Sequence, residues 1–117
     1  MSQMAESIYT LVKERETVTF AEILKNIPGA KGDQDFLSDK AENVFFWMGL
    51  SEEVCDAIIE LRNSDKIYMH PAHMLTYIAD GAALTIPIAK HPPKGGYKKP
   101  HWLPVCFCTY PHRDSAE

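Results

Sequence analysis

Apolar residues recur at helical spacing at the start of the chain. Met4, Ile8, Leu11 and Val12 fall on one side of a helix that this pattern predicts from about Ser2 to Arg15. Ser2 is also a residue type that caps helices. The pattern therefore predicts an amphipathic N-terminal helix with one buried face.

A capping pattern marks the start of a second helix. Thr19 and Glu22 form a T-x-x-E sequence, in which the hydroxyl accepts a hydrogen bond from the first helical turn. The β-branched residues at 17–19 predict a very short strand before it. The helix covers about 20–27, and the turn-forming and acidic residues of 28–39 predict an exposed loop.

Two further helices are predicted on either side of Gly49. The apolar residues of 40–48 and of 51–63 fit helical faces, and Gly49 breaks the first of these helices. Ser51 caps the second, and the acidic residues that follow it suit the positive end of the helix dipole.

The hydrophobic patterns of the C-terminal half predict β-strands. Residues 66–70 and 84–89 alternate between polar and apolar, whereas 102–110 are apolar on both faces, as in a covered strand. The pattern leaves 71–80 open between a helix and a hairpin. Residues 90–101 predict a basic loop rich in Pro and Gly.

The segment NVFFWMGLSEEVCDAIIEL at 43–61 resembles the helix-turn-helix superfamily. Gly49 takes the left-handed position of the tight turn, and Ser51 caps the second helix. The expected apolar places are occupied by Val44, Met48, Leu50, Cys55 and Ile58. Phe45 departs from the family, which prefers a small residue there.

The order of elements over residues 3–89 resembles the winged-helix arrangement, with 51–70 similar to a recognition helix that runs into the first wing strand. The resemblance implies an α+β fold, winged helix-turn-helix-like, with N-terminal helices followed by a small antiparallel sheet. We expect one domain over 1–117, with 111–117 as a loose tail. The second helix of the motif is either 20–27 or 40–48.

Composition indicates a globular protein. The 117 residues are 45% hydrophobic and 24% charged, and no apolar run approaches the ~20 residues that span a membrane. The N-terminus lacks the apolar core of a secretory signal, and an odd number of cysteines, three, fits a reducing compartment. We therefore expect a soluble, cytoplasmic protein that does not contact membranes.

The charge is divided unevenly, since residues 1–65 carry a net −7 and residues 66–117 a net +3. In winged-helix proteins the wing loop touches the nucleic-acid backbone, whereas the basic loop and the last strand of this chain lie outside the minimal family pattern. We expect DNA binding of a regulatory kind, through Lys90, His91, Lys94, Tyr97, Lys98 and Lys99, with the tyrosine available for stacking. A solvated surface loop is the alternative interpretation of this segment.

The predicted recognition helix carries the wrong charge for DNA, because its exposed residues are Glu52, Glu53, Asp56 and Glu60. Helices that contact DNA present Arg, Lys, Asn or Gln to bases and phosphates. The alternative function is therefore a protein-protein interaction module whose acidic helix faces a basic partner.

Catalytic and cofactor motifs are absent from the sequence, which contains no P-loop, G-x-S-x-G or H-E-x-x-H pattern. We expect no enzyme activity, no cofactor and no metal. A weaker interpretation is a metal or ligand site that uses His70, His73, Cys106 and Cys108, but their spacing is not that of a zinc site. The cysteines are otherwise expected to be small core residues.

Three consecutive aromatic residues, Phe45, Phe46 and Trp47, spread over about 300° on a helix. They cannot all face one small core. Core packing and a homodimer interface are the two explanations, and helix-turn-helix proteins often act as dimers on paired half-sites.

Overall fold

The computed structural model describes residues 1–90 and 93–111 of the chain. These residues form four helices and six strands. In chain order the elements are α1 (Gln3–Arg15), β1 (Val18–Thr19), α2 (Phe20–Asn26), β2 (Lys31–Leu37), β3 (Glu42–Leu50), α3 (Glu52–Asn63), β4 (Tyr68–Pro71), α4 (Met74–Asp80), β5 (Gly96–Trp102) and β6 (Val105–Cys108). The α+β class expected from the sequence is confirmed.

The first sheet has the strand order β1-β6-β4, and both of its pairings are antiparallel. Val18 lies opposite Phe107, and Met69 lies opposite the same residue on the other side. All four residues of β6 are buried, because this strand is central to the sheet and covered by helices. The covered strand predicted over 102–110 is therefore confirmed for Val105–Cys108, whereas Trp102 is the last residue of β5.

The second sheet has the strand order β2-β3-β5. β2 and β3 form an antiparallel hairpin, whereas β3 and β5 pair in parallel. Because this hairpin lies between α2 and α3, strands are not confined to the C-terminal half of the chain, contrary to the expectation from the sequence. The expectation of an antiparallel sheet is also wrong for the pairing of β3 with β5.

The helix predicted for 40–48 is wrong, because this segment is the central strand β3. Val44, Phe45, Phe46 and Trp47 favour strands, and β3 buries residues on both of its faces. Apolar residues on both faces give no period that distinguishes a strand from a buried helix. Gly49, with φ 82°, therefore lies near the end of β3, and no helix-turn-helix exists over 43–61 because a strand precedes α3.

Three other segments differ from the prediction, and the structure settles a fourth, 71–80, which the pattern left open. The loop predicted at 90–101 contains most of β5. The loop predicted at 28–39 contains β2, an edge strand of mostly charged and polar residues in which only Phe36 is buried. The strand predicted at 84–89 contains only an isolated bridge between Ile88 and Trp102. In the open segment 71–80, Met74–Asp80 form helix α4, capped by the side chain of His73, and Pro71 ends β4.

The helices at 2–15, 20–27 and 51–63 are confirmed, and so are their caps. The hydroxyl of Ser2 accepts from the N–H of Ala5, and that of Thr19 accepts from the N–H of Glu22. The carboxylate of Glu22 does not complete the capping box, because it pairs with Arg15 at 2.6 Å.

Aromatic rings join the two sheets into one core. The ring of Phe20 packs against Phe36, Trp47 and Phe107. Trp47 also stacks on Tyr77, with centroids 5.1 Å apart, so α4 contacts the same core. Phe46 and Trp47 are 8% and 3% exposed and pack in the core of their own chain, whereas Phe45 is half-buried.

No helix in residues 1–90 and 93–111 is long and apolar enough to cross a membrane. The predicted tail at 111–117 lies outside the described residues except for Pro111.

Candidate nucleic-acid interface

The predicted basic segment contains a bulge in β5. Glu42 pairs with Gly96, and the next pair is Val44 with His101. Four residues of β5 therefore lie opposite a single residue of β3, Asn43. We call residues 97–100 (Tyr97, Lys98, Lys99 and Pro100) the basic bulge.

Three contacts close the base of the basic bulge. The rings of Tyr97 and His101 stack with centroids 3.6 Å apart and an angle of 11° between their planes. The Nδ2 of Asn43 donates to the carbonyl of Tyr97 at 3.0 Å, and the Nδ1 of His101 donates to that of Lys99 at 2.9 Å. These contacts fix the carbonyls of Tyr97 and Lys99, which lie on either side of Lys98.

The backbone around the basic bulge requires particular residues. Gly96 has φ 100°, and a Cβ on it would overlap the backbone of Glu42. Asn43 has φ 60° and is one of the few residue types other than glycine that tolerate this region. The bulge therefore depends on one residue from each of the paired strands.

The lysines of the segment are exposed and carry no paired carboxylate. Lys90, Lys94, Lys98 and Lys99 are all exposed, and none has a carboxylate within 4.0 Å in the described part of the chain. The sequence has no Asp or Glu between Gly81 and Pro111. The acid beside this segment is the exposed Glu42, opposite Gly96 on the neighbouring strand, and its carboxylate is not within 4.0 Å of these lysines in the described part of the chain.

Two predicted residues need qualification. Tyr97 is half-buried, and one face of its ring is already covered by His101, which leaves the other face for a base. His91 lies outside the described residues.

The acidic residues at the start of α3, Glu52, Glu53 and Asp56, follow the end of β3 that is distant from the basic bulge. Glu52, Glu53 and Asp56 are exposed, whereas Glu60 is half-buried, with its carboxylate 3.7 Å from the N-terminal amine. From Val44 to Leu50 the strand advances about 20 Å at ~3.3 Å per residue. This exceeds twice the Debye length of about 8 Å at physiological salt, so Glu52, Glu53 and Asp56 are largely screened from an anion at the bulge.

The weaker metal-site set is not assembled. His70 is buried with its Nε2 3.2 Å from the carbonyl oxygen of Tyr110, and the ring of exposed His73 accepts from the N–H of Leu75. Burial raises the pKa of Cys106 to about 11, which disfavours the thiolate that binds metals. Among residues 1–90 and 93–111, no three His, Cys, Asp or Glu side chains could hold a metal ion.

Sequence reasoning found the lysines but missed Asn43, His101 and Gly96. The adjacent glycines at 95–96 and the proline at 100 were signals of irregular backbone. The partner strand was not predictable, because β3 was taken for a helix.

The chain matches no family model, no curated protein and no solved structure among those compared with it.

Proposed function

We propose that this chain is a small nucleic-acid-binding protein of winged-helix-like organisation that docks on phosphates through the basic bulge and its flanking lysines. The observation that carries the proposal is the exposure of Lys98 and Lys99, neither paired with a carboxylate in the described residues, on a bulge whose base is closed by hydrogen bonds and a ring stack. The release of counterions from the nucleic-acid phosphates would supply the binding affinity. The proposed function requires no catalytic step.

The order of elements supports the winged-helix part of the proposal. After α3 the chain forms the antiparallel partners β4 and β6, and the basic bulge belongs to the connection between them. A loop in this position corresponds to the wing. The motif's second helix is then α2, since 40–48 is a strand, and the β2–β3 hairpin is an insertion before α3.

The test is fluorescence anisotropy with a labelled random-sequence DNA duplex, at several salt concentrations. The double variant Lys98→Gln/Lys99→Gln is compared with Lys25→Gln/Lys31→Gln, which removes the same charge from exposed sites on α2 and β2. We expect log affinity to fall linearly with log salt, with a slope about 2 units shallower in the bulge variant and near the original slope in the control. Equal slopes in the two variants would contradict the proposal. A labelled single strand, measured in parallel, establishes whether stacking on Tyr97 favours unpaired bases.

The exposed acids of α3 favour a second candidate, a module that binds a basic protein partner. Glu52→Gln/Glu53→Gln distinguishes it in the same titration. Nucleic-acid binding through the bulge predicts unchanged or tighter binding in this variant. No binding by the unmodified chain at low salt would leave protein contact through α3 as the function. Action as a homodimer is compatible with either candidate, and sedimentation of the free and bound chain would measure it.

A further inference from the structure

A groove of about 890 Å³ lies between the β2–β3 hairpin, the C-terminal half of α3 and strand β4. It is separate from the basic bulge and shares none of its residues. β4 is an edge strand of the first sheet, so the groove runs along an open side of that sheet.

The groove has an apolar floor. Phe36, Phe46 and Ile67 line it and are each less than one-tenth exposed. Two large apolar side chains on its walls remain open to solvent, with Leu37 43% and Ile59 47% exposed. Burial of such surface favours a ligand with an apolar body by about 25 cal/mol for each Å² removed from water.

Two cations line the same groove. Lys40 and Arg62 are both exposed, and neither has a carboxylate within 4.0 Å in the described residues. Among the described residues that line the groove, Asp39 is the one acid, so the two cations outnumber it there. Ser38 and Asn63 add a hydroxyl and an amide, which can donate hydrogen bonds.

We propose that this groove binds a small organic anion with an apolar body, such as an aromatic or aliphatic carboxylate. A concave apolar surface with a few convergent polar groups is the usual form of a small-molecule site. The planar guanidinium of Arg62 suits a carboxylate in particular. A bare inorganic anion would leave the apolar floor exposed. This inference does not depend on nucleic-acid binding.

Two fluorescent probes with nearly the same body test the proposal. 1-Anilinonaphthalene-8-sulfonate is an apolar anion, and N-phenyl-1-naphthylamine lacks the sulfonate. Both are titrated against the full chain, Lys40→Gln/Arg62→Gln and the matched control Lys25→Gln/Lys31→Gln, after circular dichroism has established that each variant is folded. We expect the groove variant to bind the anionic probe at least tenfold more weakly, with little change for the neutral probe or in the control.

Equal affinity of the full chain for the two probes, or an unchanged anionic-probe affinity in the groove variant, would overturn the proposal. A third variant, Leu75→Ser, tests the other large apolar surface, on α4, where Leu75 is 61% exposed. If the anionic probe lost binding in Leu75→Ser and not in the groove variant, the probe would bind at α4, and the proposal would be overturned. Amide chemical-shift changes clustered at Ile59, Arg62 and Met69 are the expected direct signature.

Discussion

At the scale of single residues, the two tryptophans have different environments despite equal burial. Trp47 and Trp102 are 3% and 1% exposed, and their rings contact each other. The Nε1 of Trp102 donates to the carbonyl of Phe46 at 3.2 Å. The Nε1 of Trp47 has no hydrogen-bond partner in the described part of the chain. A buried donor without a partner costs about 1–3 kcal/mol.

Trp102→Phe should therefore destabilise the protein more than Trp47→Phe. Both changes shrink a buried ring, but the first removes a hydrogen bond and the second removes an unsatisfied donor. We expect the free energies of unfolding to differ by about 1–2 kcal/mol, measured by urea denaturation. Equal costs would mean that the Trp47 donor is satisfied in solution.

Residue-scale features were the most predictable from sequence. The caps at Ser2, Thr19 and Ser51 follow from local hydrogen bonding between a hydroxyl and the nearby backbone. The contact of the Thr19 hydroxyl with the carboxylate of Asp80, at 2.7 Å, was not predictable. It joins residues far apart in the chain and depends on α4, whose structure the pattern left open.

At the scale of elements, the basic bulge depends on the close approach of β5 to β3. Gly95 and Gly96 both have positive φ, at 85° and 100°. A Cβ on Gly95 would meet nothing within 4 Å, whereas one on Gly96 would overlap Glu42. Substituting each of these glycines in turn therefore distinguishes the energetic cost of a left-handed backbone conformation from the cost of steric overlap.

We expect Gly95→Ala to cost about 1–2 kcal/mol from backbone strain alone. Gly96→Ala should cost a further ~1–3 kcal/mol through overpacking and should also weaken DNA binding by displacing Lys98 and Lys99. Thermal unfolding and the duplex titration measure the two effects. If the Gly96→Ala variant were as stable as the Gly95→Ala variant, β3 and β5 could move apart there without a loss of stability, which would contradict this prediction.

Element types were predictable where one face is polar, as in α1 and α3, because the period is then visible. They were not predictable for β2 and β3. β2 is too polar to show an apolar face, and β3 buries residues on both sides. The pairing of β3 with β5 is long-range and leaves no local signal, so the site's geometry could not be derived.

At the scale of the whole molecule, the hydroxyl of Tyr77 links three elements. It donates to the carbonyl of Val105 on β6 at 2.5 Å and accepts from the N–H of Phe20 on α2 at 3.3 Å. Tyr77 itself lies on α4 and is fully buried. Burial raises the pKa of this phenol far above its ordinary value of 10, because the charged form would lose its hydration.

The raised pKa predicts a loss of stability in alkali. Below pH 10 Tyr77 is neutral in both the folded and the unfolded chain, so it adds no pH dependence. Above pH 10 it ionises only when unfolded, which favours the unfolded state by up to about 1.4 kcal/mol per pH unit. Tyr77→Phe should be less stable at pH 7 through lost hydrogen bonds, by about 1–3 kcal/mol.

The stability difference between the original chain and Tyr77→Phe should therefore narrow from pH 10 to pH 11.5, as measured by urea denaturation at each pH. Cys106, whose pKa is also raised, ionises in both chains and cancels from the comparison. A difference that stays constant over this range would contradict the assigned role of the phenol.

The parallel pairing of β3 with β5 has a consequence for folding order. β2 and β3 are joined by a short connection and can pair early, whereas β5 can join them only after the long intervening segment has closed into a loop. Non-local pairing of this kind is expected late, because the entropy of loop closure opposes it until other contacts form. Since the basic bulge exists only through this pairing, a nascent or partly folded chain would not yet present it to a polyanion.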